Sequence, residues 1–203
     1  MLQELINQNI LLHVSVFNTL LSEYAINGDV TGFFNILQLM QECSVEIDLH
    51  SLNHLLRLYS IRTEHLQVKN IFYQQILTRF TPDSLSYMLL FESLGNLMEI
   101  DVIQQEIANL RILQNNRLCI RVFTSYLNAL CRAGCWNLVE LEISNMKKFG
   151  MYPDRILLTS VLESCFSAGN IQLFDRIAAY IKPDLKTDHR LTSVLARRKQ
   201  ISF

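Results

Sequence analysis

Apolar residues recur along this chain at spacings of three and four, in runs of about a dozen closed by polar or glycine-containing breaks. The stretch 121–154 shows the unit most clearly. Its first half carries Val122, Phe123, Tyr126, Leu127 and Leu130, and its second half Leu138, Leu141, Ile143 and Met146. That spacing predicts two short helices. Ala133 and Gly134 supply the break, with the glycine where a left-handed C-cap is wanted. Tyr152, Pro153 and Asp154 supply the exit, and a proline there stops any continuation of the helix. Two short amphipathic helices cannot bury both their apolar faces alone, so the unit requires neighbours of its own kind.

The neighbours are present. Sliding the chain against itself by 35 residues lays Val16-Phe17-Asn18-Thr19-Leu20-Leu21 on Ser51-Leu52-Asn53-His54-Leu55-Leu56. The same shift lays Phe123-Thr124-Ser125-Tyr126-Leu127 on Leu158-Thr159-Ser160-Val161-Leu162. Self-similarity at a fixed period marks a solenoid. It divides the chain into repeats 14–48, 49–83, 84–119, 120–154 and 155–188, with partial repeats at 1–13 and 189–203, all in one array over 1–203. Gly28, Gly134 and Gly169 each fall at the fifteenth place of a repeat, which fixes the phase independently of the apolar pattern. In the first repeat the expected helices cover 15–26 and 30–42, with Gly28 as C-cap and Asp29 as N-cap. In the second they cover 50–60 and 64–78, and Thr63 is the expected N-cap. The third is irregular, with helices near 85–94 and 102–113 and an early break at Gly95-Asn96; its close, Gln114 to Arg117, lacks both proline and a terminal acid. The fifth runs 156–167, turns at Ala168-Gly169-Asn170 and continues 171–181.

Half of the 203 residues are apolar and the mean hydropathy is +0.18. No apolar run approaches the roughly 18–20 residues of a membrane span, so the apolar content belongs to stacked hairpins covered on both sides. Few glycines, three prolines and no alternating β-branched runs make the chain all-α. The five cysteines have no framework spacing, and Cys131 and Cys135 have no second pair with which to hold zinc; reduced thiols packed in the core are expected. His50, His54 and His65 form no metal motif, and neither a metal nor any other cofactor is expected. Net charge is −1, without the excess of Lys and Arg that marks a nonspecific nucleic-acid binder. Basic residues gather late, at Lys182, Lys186, Arg190 and Arg197-Arg198-Lys199, as a solvated helix or a phosphate-contacting patch. The first thirteen residues show neither a signal-peptide nor an Arg-rich leader pattern. Neither end carries a polar capping helix, so a longer parent protein, or ends covered by partners, is expected.

A 35-residue helix-turn-helix with a glycine break and a Pro-Asp exit resembles the pentatricopeptide repeat family. The repeat 120–154 is a close match, 14–48, 49–83 and 155–188 are good ones, and 84–119 is degenerate. The tetratricopeptide family is disfavoured, because its Trp, Leu-Gly, Tyr and Pro landmarks are not in phase. The resemblance implies a right-handed α-solenoid in which each repeat reads one base of single-stranded RNA. It assigns the reading to the fifth and last residues of a repeat: Asn18 with Asp48, Asn53 with Asp83, Thr124 with Asp154, and Thr159 with Asp188. Asparagine with aspartate implies uracil and threonine with aspartate guanine, giving 5′-U-U-x-G-G-3′. The third repeat offers Met88 and Cys119, which leave its base unread. The second residue of each repeat sandwiches the base, a role for His50, Leu85, Arg121 and Ile156, with Ser15 a poor platform.

Asn, Thr and Asp near helix starts are also ordinary caps, and both readings stand at this point. Stacking of about 1–3 kcal/mol per base, set against near-zero net charge, points to micromolar or weaker affinity. The resemblance implies a binder and not an enzyme, since no zinc or acidic nuclease motif occurs. It implies a mitochondrial or, alternatively, a plastid setting, and work in RNA stability, processing or translation. The rival reading is a helical scaffold bound to proteins of a mitochondrial ribosome or another organellar complex.

Overall fold

The computed structural model describes residues 13–112, 119–149, 152–181 and 189–200. Among them the regular structure is entirely helical. The helices are α1 (Val14–Asn27), α2 (Val30–Glu42), α3 (Leu49–Ile61) and α4 (His65–Ile71, continued through a π-helical stretch Phe72–Ile76 to Leu77–Arg79). They continue with α5 (Ser84–Asn96), α6 (Ile100–Ile112), α7 (Ile120–Arg132) and α8 (Trp136–Asn145, tightening to a 3-10 turn over Met146–Phe149). The last are α9 (Arg155–Ser167), α10 (Ile171–Ala178) and α11 (His189–Gln200). Among the described residues no helix is long and apolar enough to cross a membrane.

Among the described residues α1–α2, α3–α4, α5–α6, α7–α8 and α9–α10 follow one another as helix pairs, and the fifteenth residue of each expected repeat lies at the turn between the two. Gly28, Gly134 and Gly169 have φ of 69°, 71° and 68°, the left-handed region that glycine enters without penalty. The same region is occupied by Thr63 (φ 59°) and Met98 (φ 58°), the fifteenth residues of the second and third repeats. Two expectations are thereby corrected. Thr63 is not the N-cap of α4. It is the turn residue itself, and its hydroxyl donates to the carbonyl of Arg62 at 2.6 Å. The third repeat does not break at Gly95-Asn96 either: α5 runs through Asn96 and the turn comes at Met98. Gly95 answers a packing demand, since a Cβ there would lie 2.6 Å from Cα of Ala129 on α7.

The chain falls into two compact units, Met1–Ser93 and Leu94–Phe203. In the first, α1 packs on α2 and on α3, and α3 packs on α4. Phe17, Leu21, Leu52, Leu56, Phe72 and Leu90 are buried, and the Phe72 and Tyr87 rings meet at 5.4 Å. In the second, α9 packs on α7, α10 and α11, while α8 packs on α7 and α10. First helix thus lies on first helix within each unit, and second on second in the second unit, the nearest-neighbour stacking of a solenoid. Each buried large aliphatic or aromatic side chain contributes roughly 1.5–3 kcal/mol.

The expected apolar face of α7 is buried in full. That of α8 is met at Ile143 and Met146, which are buried, but is rotated by a residue before them: Leu141 is exposed, Leu138 is half-buried, and Val139 is buried instead. The rotation carries Glu142 inward, where it accepts from the Tyr126 hydroxyl (3.1 Å) and the Arg111 guanidinium. Cys131 and Cys165 are buried. Burial, helped by the neighbouring Cys165, pushes the Cys131 thiol up to about 12, and burial pushes Cys165 up to about 11. Both are unreactive core thiols, whereas Cys43, Cys119 and Cys135 are partly exposed.

Candidate nucleic-acid interface

The residue that opens each first helix sets the geometry of the candidate site. Asp48 is the N-cap of α3 and accepts from the Ser51 N–H at 2.8 Å. Asp154 caps α9 in the same way through Leu157 (2.8 Å), and Asp83 accepts from the Ser86 N–H at 2.8 Å. Capping is therefore a real duty of the repeat-ending aspartates, as their position allows. It uses only part of each carboxylate.

In the first two repeats the rest of the carboxylate turns to the fifth residue. The Asn18 amide donates to both Asp48 oxygens at 3.1 and 3.2 Å, and the Asn53 amide donates to both Asp83 oxygens at 3.1 Å. A serine completes each group: Ser51 Oγ lies 2.7 Å from Asn18 Oδ1 and 2.9 Å from Asp48 Oδ1. Ser86 repeats those distances on Asn53 and Asp83. Two three-residue networks thus recur 35 residues apart with matching geometry. Burial pushes the Asp48 carboxyl up, but the Ser51 N–H, the Asn18 amide, the Ser51 hydroxyl and the charge of His50 outweigh it. The carboxyl consequently sits below the usual range.

Accessibility differs between the two. Asn18 lines an open groove of about 520 Å³ together with Ser15, Thr19, Glu23, His50 and His54. This places the expected reader of the first repeat beside His50, the expected platform of the second. Asn53 is only 1% exposed, closed over in this conformation.

The fourth and fifth repeats are built differently. Thr124 donates its hydroxyl proton to the carbonyl of Ile120 at 2.7 Å. Among the described residues it has no bond to Asp154. Thr159 lines a second groove, again about 520 Å³, with Arg155, Ile156, Ser160, Glu163 and Arg190; the expected reader and expected platform of one repeat meet there. Asp188 lies outside the described residues, as do Lys182 and Lys186. Met88 and Cys119 are partly exposed and bring no amide or hydroxyl to the third repeat.

The second places behave alike throughout. Ser15, His50, Leu85, Arg121 and Ile156 are all exposed, Leu85 at 41% and Ile156 at 62%. Five residues of different chemistry at one repeat position are thus alike in their exposure. His54, one turn beyond His50, is half-buried, and burial with the charges of Arg57 and His50 lowers its pKa against the opposing pull of Asp48. Among the described residues no group of three His, Cys, Asp or Glu side chains is placed to hold a metal ion. The two serines are the residues that sequence reasoning missed. The 35-residue alignment lays Ser51 on Ser86, and that coincidence was the available signal.

Comparison with known proteins follows the same lines. Residues 1–62 match the family model of the pentatricopeptide repeat domain. No curated protein matches the sequence. Among solved structures the chain is similar to the maize pentatricopeptide repeat protein PPR10 over 100% of its own length and 27% of that chain, at 17% identity and a TM-score of 0.68. Against PPR10 in complex with an 18-nucleotide psaJ RNA element the TM-score is 0.73, again at 17% identity, covering 100% of this chain and 28% of that one. It also resembles the nuclear proteinaceous RNase P 2 of A. thaliana, at 12% identity and a TM-score of 0.59, over 91% of this chain and 41% of that one. These likenesses give the fold, an α-helical solenoid of hairpin repeats. The chain spans little more than a quarter of the PPR10 structures it matches.

Proposed function

We propose that the chain is a pentatricopeptide repeat protein, a reading supported by the match of residues 1–62 to that family model, and that it binds single-stranded RNA, one base per repeat, along the first helices of its repeats. The observation that carries this reading is the pair of matching Asn-Asp networks. A capping aspartate needs no asparagine, yet Asn18 and Asn53 are held on Asp48 and Asp83 by the same two contacts. An amide so held keeps one N–H and one carbonyl lone pair for a ligand. That donor-acceptor pair complements the imide edge of uracil. In the fourth repeat the Thr124 proton is already given to Ile120, so the hydroxyl offers lone pairs alone. Asp154 adds a second acceptor, and together they suit the N1–H and N2–H donors of guanine.

The expected order of preference is 5′-U-U-x-G-G-3′, read by Asn18 with Asp48, Asn53 with Asp83, Thr124 with Asp154, and Thr159 with Asp188. His50, Leu85, Arg121 and Ile156 serve as platforms. A base reaches Asn53 only when the helices over it part. The binder has no catalytic role, and its setting is an organelle, the mitochondrion in preference to the plastid, where it acts in transcript stability, processing or translation. Fluorescence anisotropy with an oligonucleotide containing UUAGG and with a scrambled control tests the reading. Tighter binding to the first is expected, and equal binding to both would reject base reading.

A second reading, a scaffold for ribosomal or other organellar proteins, has its own observation. Phe34, Leu37, Val45 and Ile47 line an open groove of about 980 Å³ in the first unit, away from the Asn18 groove. Phe34 is 43% exposed there.

A further inference from the structure

Resting on that reading, we infer that Ser51 and Ser86 are positioning residues for uracil recognition, so that each asparagine-bearing repeat is completed by the third residue of the repeat that follows. Each serine is essentially buried. Each hydroxyl is shared between the fifth-place amide oxygen and the repeat-ending carboxylate, with the shorter contact, 2.7 Å, to the amide in both networks. A terminal carboxamide torsion is broad and nearly two-fold. The carboxylate alone draws the Asn Nδ2 towards it but leaves the amide plane free to swing. A hydroxyl fixed at Oδ1 holds the other end, and the remaining donor and acceptor then keep one arrangement. Preset geometry of this kind lets a base be discriminated without an ordering cost at binding.

The repeats without the serine support the assignment. The third residues after the threonine-bearing repeats are Leu157 and Leu191, both fully buried and unable to donate. A hydroxyl reader such as Thr124 orients itself on its own helix and needs no such partner. Amide readers are followed by serine and hydroxyl readers by leucine, an all-or-nothing pattern suited to buried polar networks.

The test compares the full chain with Ser51→Ala and Ser51→Thr, using RNA oligonucleotides that differ only in the first base, uracil or cytosine. Cytosine presents the reversed donor-acceptor edge, so amide orientation decides between them. Ser51→Ala leaves the Ser51 N–H cap on Asp48 in place, and a fall of about threefold to tenfold in uracil-over-cytosine preference is expected. Guanine-over-adenine preference at the bases facing Thr124 and Thr159 stays unchanged, and Ser51→Thr restores the uracil preference. Uniform weakening across all oligonucleotides, or an unaltered first-base preference, overturns the assignment. A second measurement separates this proposal from the reading beneath it: the Asn18 carboxamide signals in nitrogen-proton NMR of the RNA-free chain. Ser51→Ala moves them towards the values of a solvated amide if Ser51 orients the group. Unmoved signals overturn the positioning role, and absent uracil preference in the unmodified chain overturns RNA reading instead.

Discussion

His54 and Asp48 lie near the start of α3, and both have pKa values below the ordinary, so each confers stability that is lost on acidification, but over different ranges of pH. For His54, burial and the positive charges of Arg57 and His50 disfavour the imidazolium, and Asp48 only partly offsets them. The folded protein therefore binds this proton less readily than the unfolded chain. The stability it confers is complete above about pH 6.5, the unfolded value, and is lost as pH falls from there towards the folded pKa. Asp48 is depressed too, because the Ser51, Asn18 and His50 contributions overcome burial. Its contribution is complete above the ordinary carboxylate range and is lost only as pH falls through its own lower value. Below about pH 6.5 and above the carboxylate range the slope belongs to His54, with an upper bound of about 1.4 kcal/mol per pH unit for one proton. Urea titrations at several pH values should show stability declining on acidification over that window. His54→Gln should flatten the decline, and an unchanged slope in that variant would assign it elsewhere.

At the scale of the helix and its turns, the fifteenth place is where local sequence and repeat geometry disagree. The hairpin demands a left-handed residue there, and three repeats supply glycine while Thr63 and Met98 are forced into the same region. A left-handed L-residue costs about 1–2 kcal/mol. Met98→Gly should therefore raise stability by roughly 0.5–1 kcal/mol, less than that cost because glycine also gains freedom in the unfolded chain. Gly134→Ala should lower stability by about 1 kcal/mol; a Cβ there meets no atom within 4 Å, so backbone strain is the whole effect. Thermal denaturation of the two variants in parallel checks the opposite signs. The same feature explains what could and could not be read in advance. Repeat phase, helix order and the turns at Gly28, Gly134 and Gly169 were legible, because apolar spacing and glycine speak locally. Met98 was not, because methionine carries no turn signal, and Gly95 misled because a glycine that admits Ala129 looks like one that ends a helix.

The inward rotation of α8 was hidden for a related reason, since Glu142 is brought in by Arg111, 31 residues away. Breaking this buried group by Glu142→Ala should cost about 3 kcal/mol or more. Replacing both partners, Arg111→Met with Glu142→Leu, should recover most of the loss in urea titrations. Of the candidate site, the Asn and Asp positions were legible from the repeat, whereas the closure over Asn53 and the serine contacts depend on how neighbouring hairpins pack.

For the molecule as a whole, a net charge of −1 and the exposed arginines of the second compact unit lead to different expectations about RNA, and salt dependence decides between them. In the second compact unit, Arg121, Arg155 and Arg190 are exposed at the starts of their first helices, with Arg155 and Arg190 in the groove that holds Thr159. Exposed glutamate is present as well: Glu163 lines that groove and lies 3.7 Å from Arg197. Each phosphate contact on a single strand contributes about −0.7 to the slope of log affinity against log salt, so three arginines give about −2. That is shallow for a nucleic-acid binder and fits recognition dominated by stacking and base-edge hydrogen bonds. Binding of a UUAGG oligonucleotide should follow this slope between about 50 and 300 mM KCl, and replacing the three arginines by glutamine should bring it near zero while retaining base preference. A slope several-fold steeper would mean that contacts other than these three arginines dominate. A flat slope in the unmodified chain would leave the arginines without phosphate partners, and the apolar groove around Phe34 would then be the better guide to what this solenoid holds.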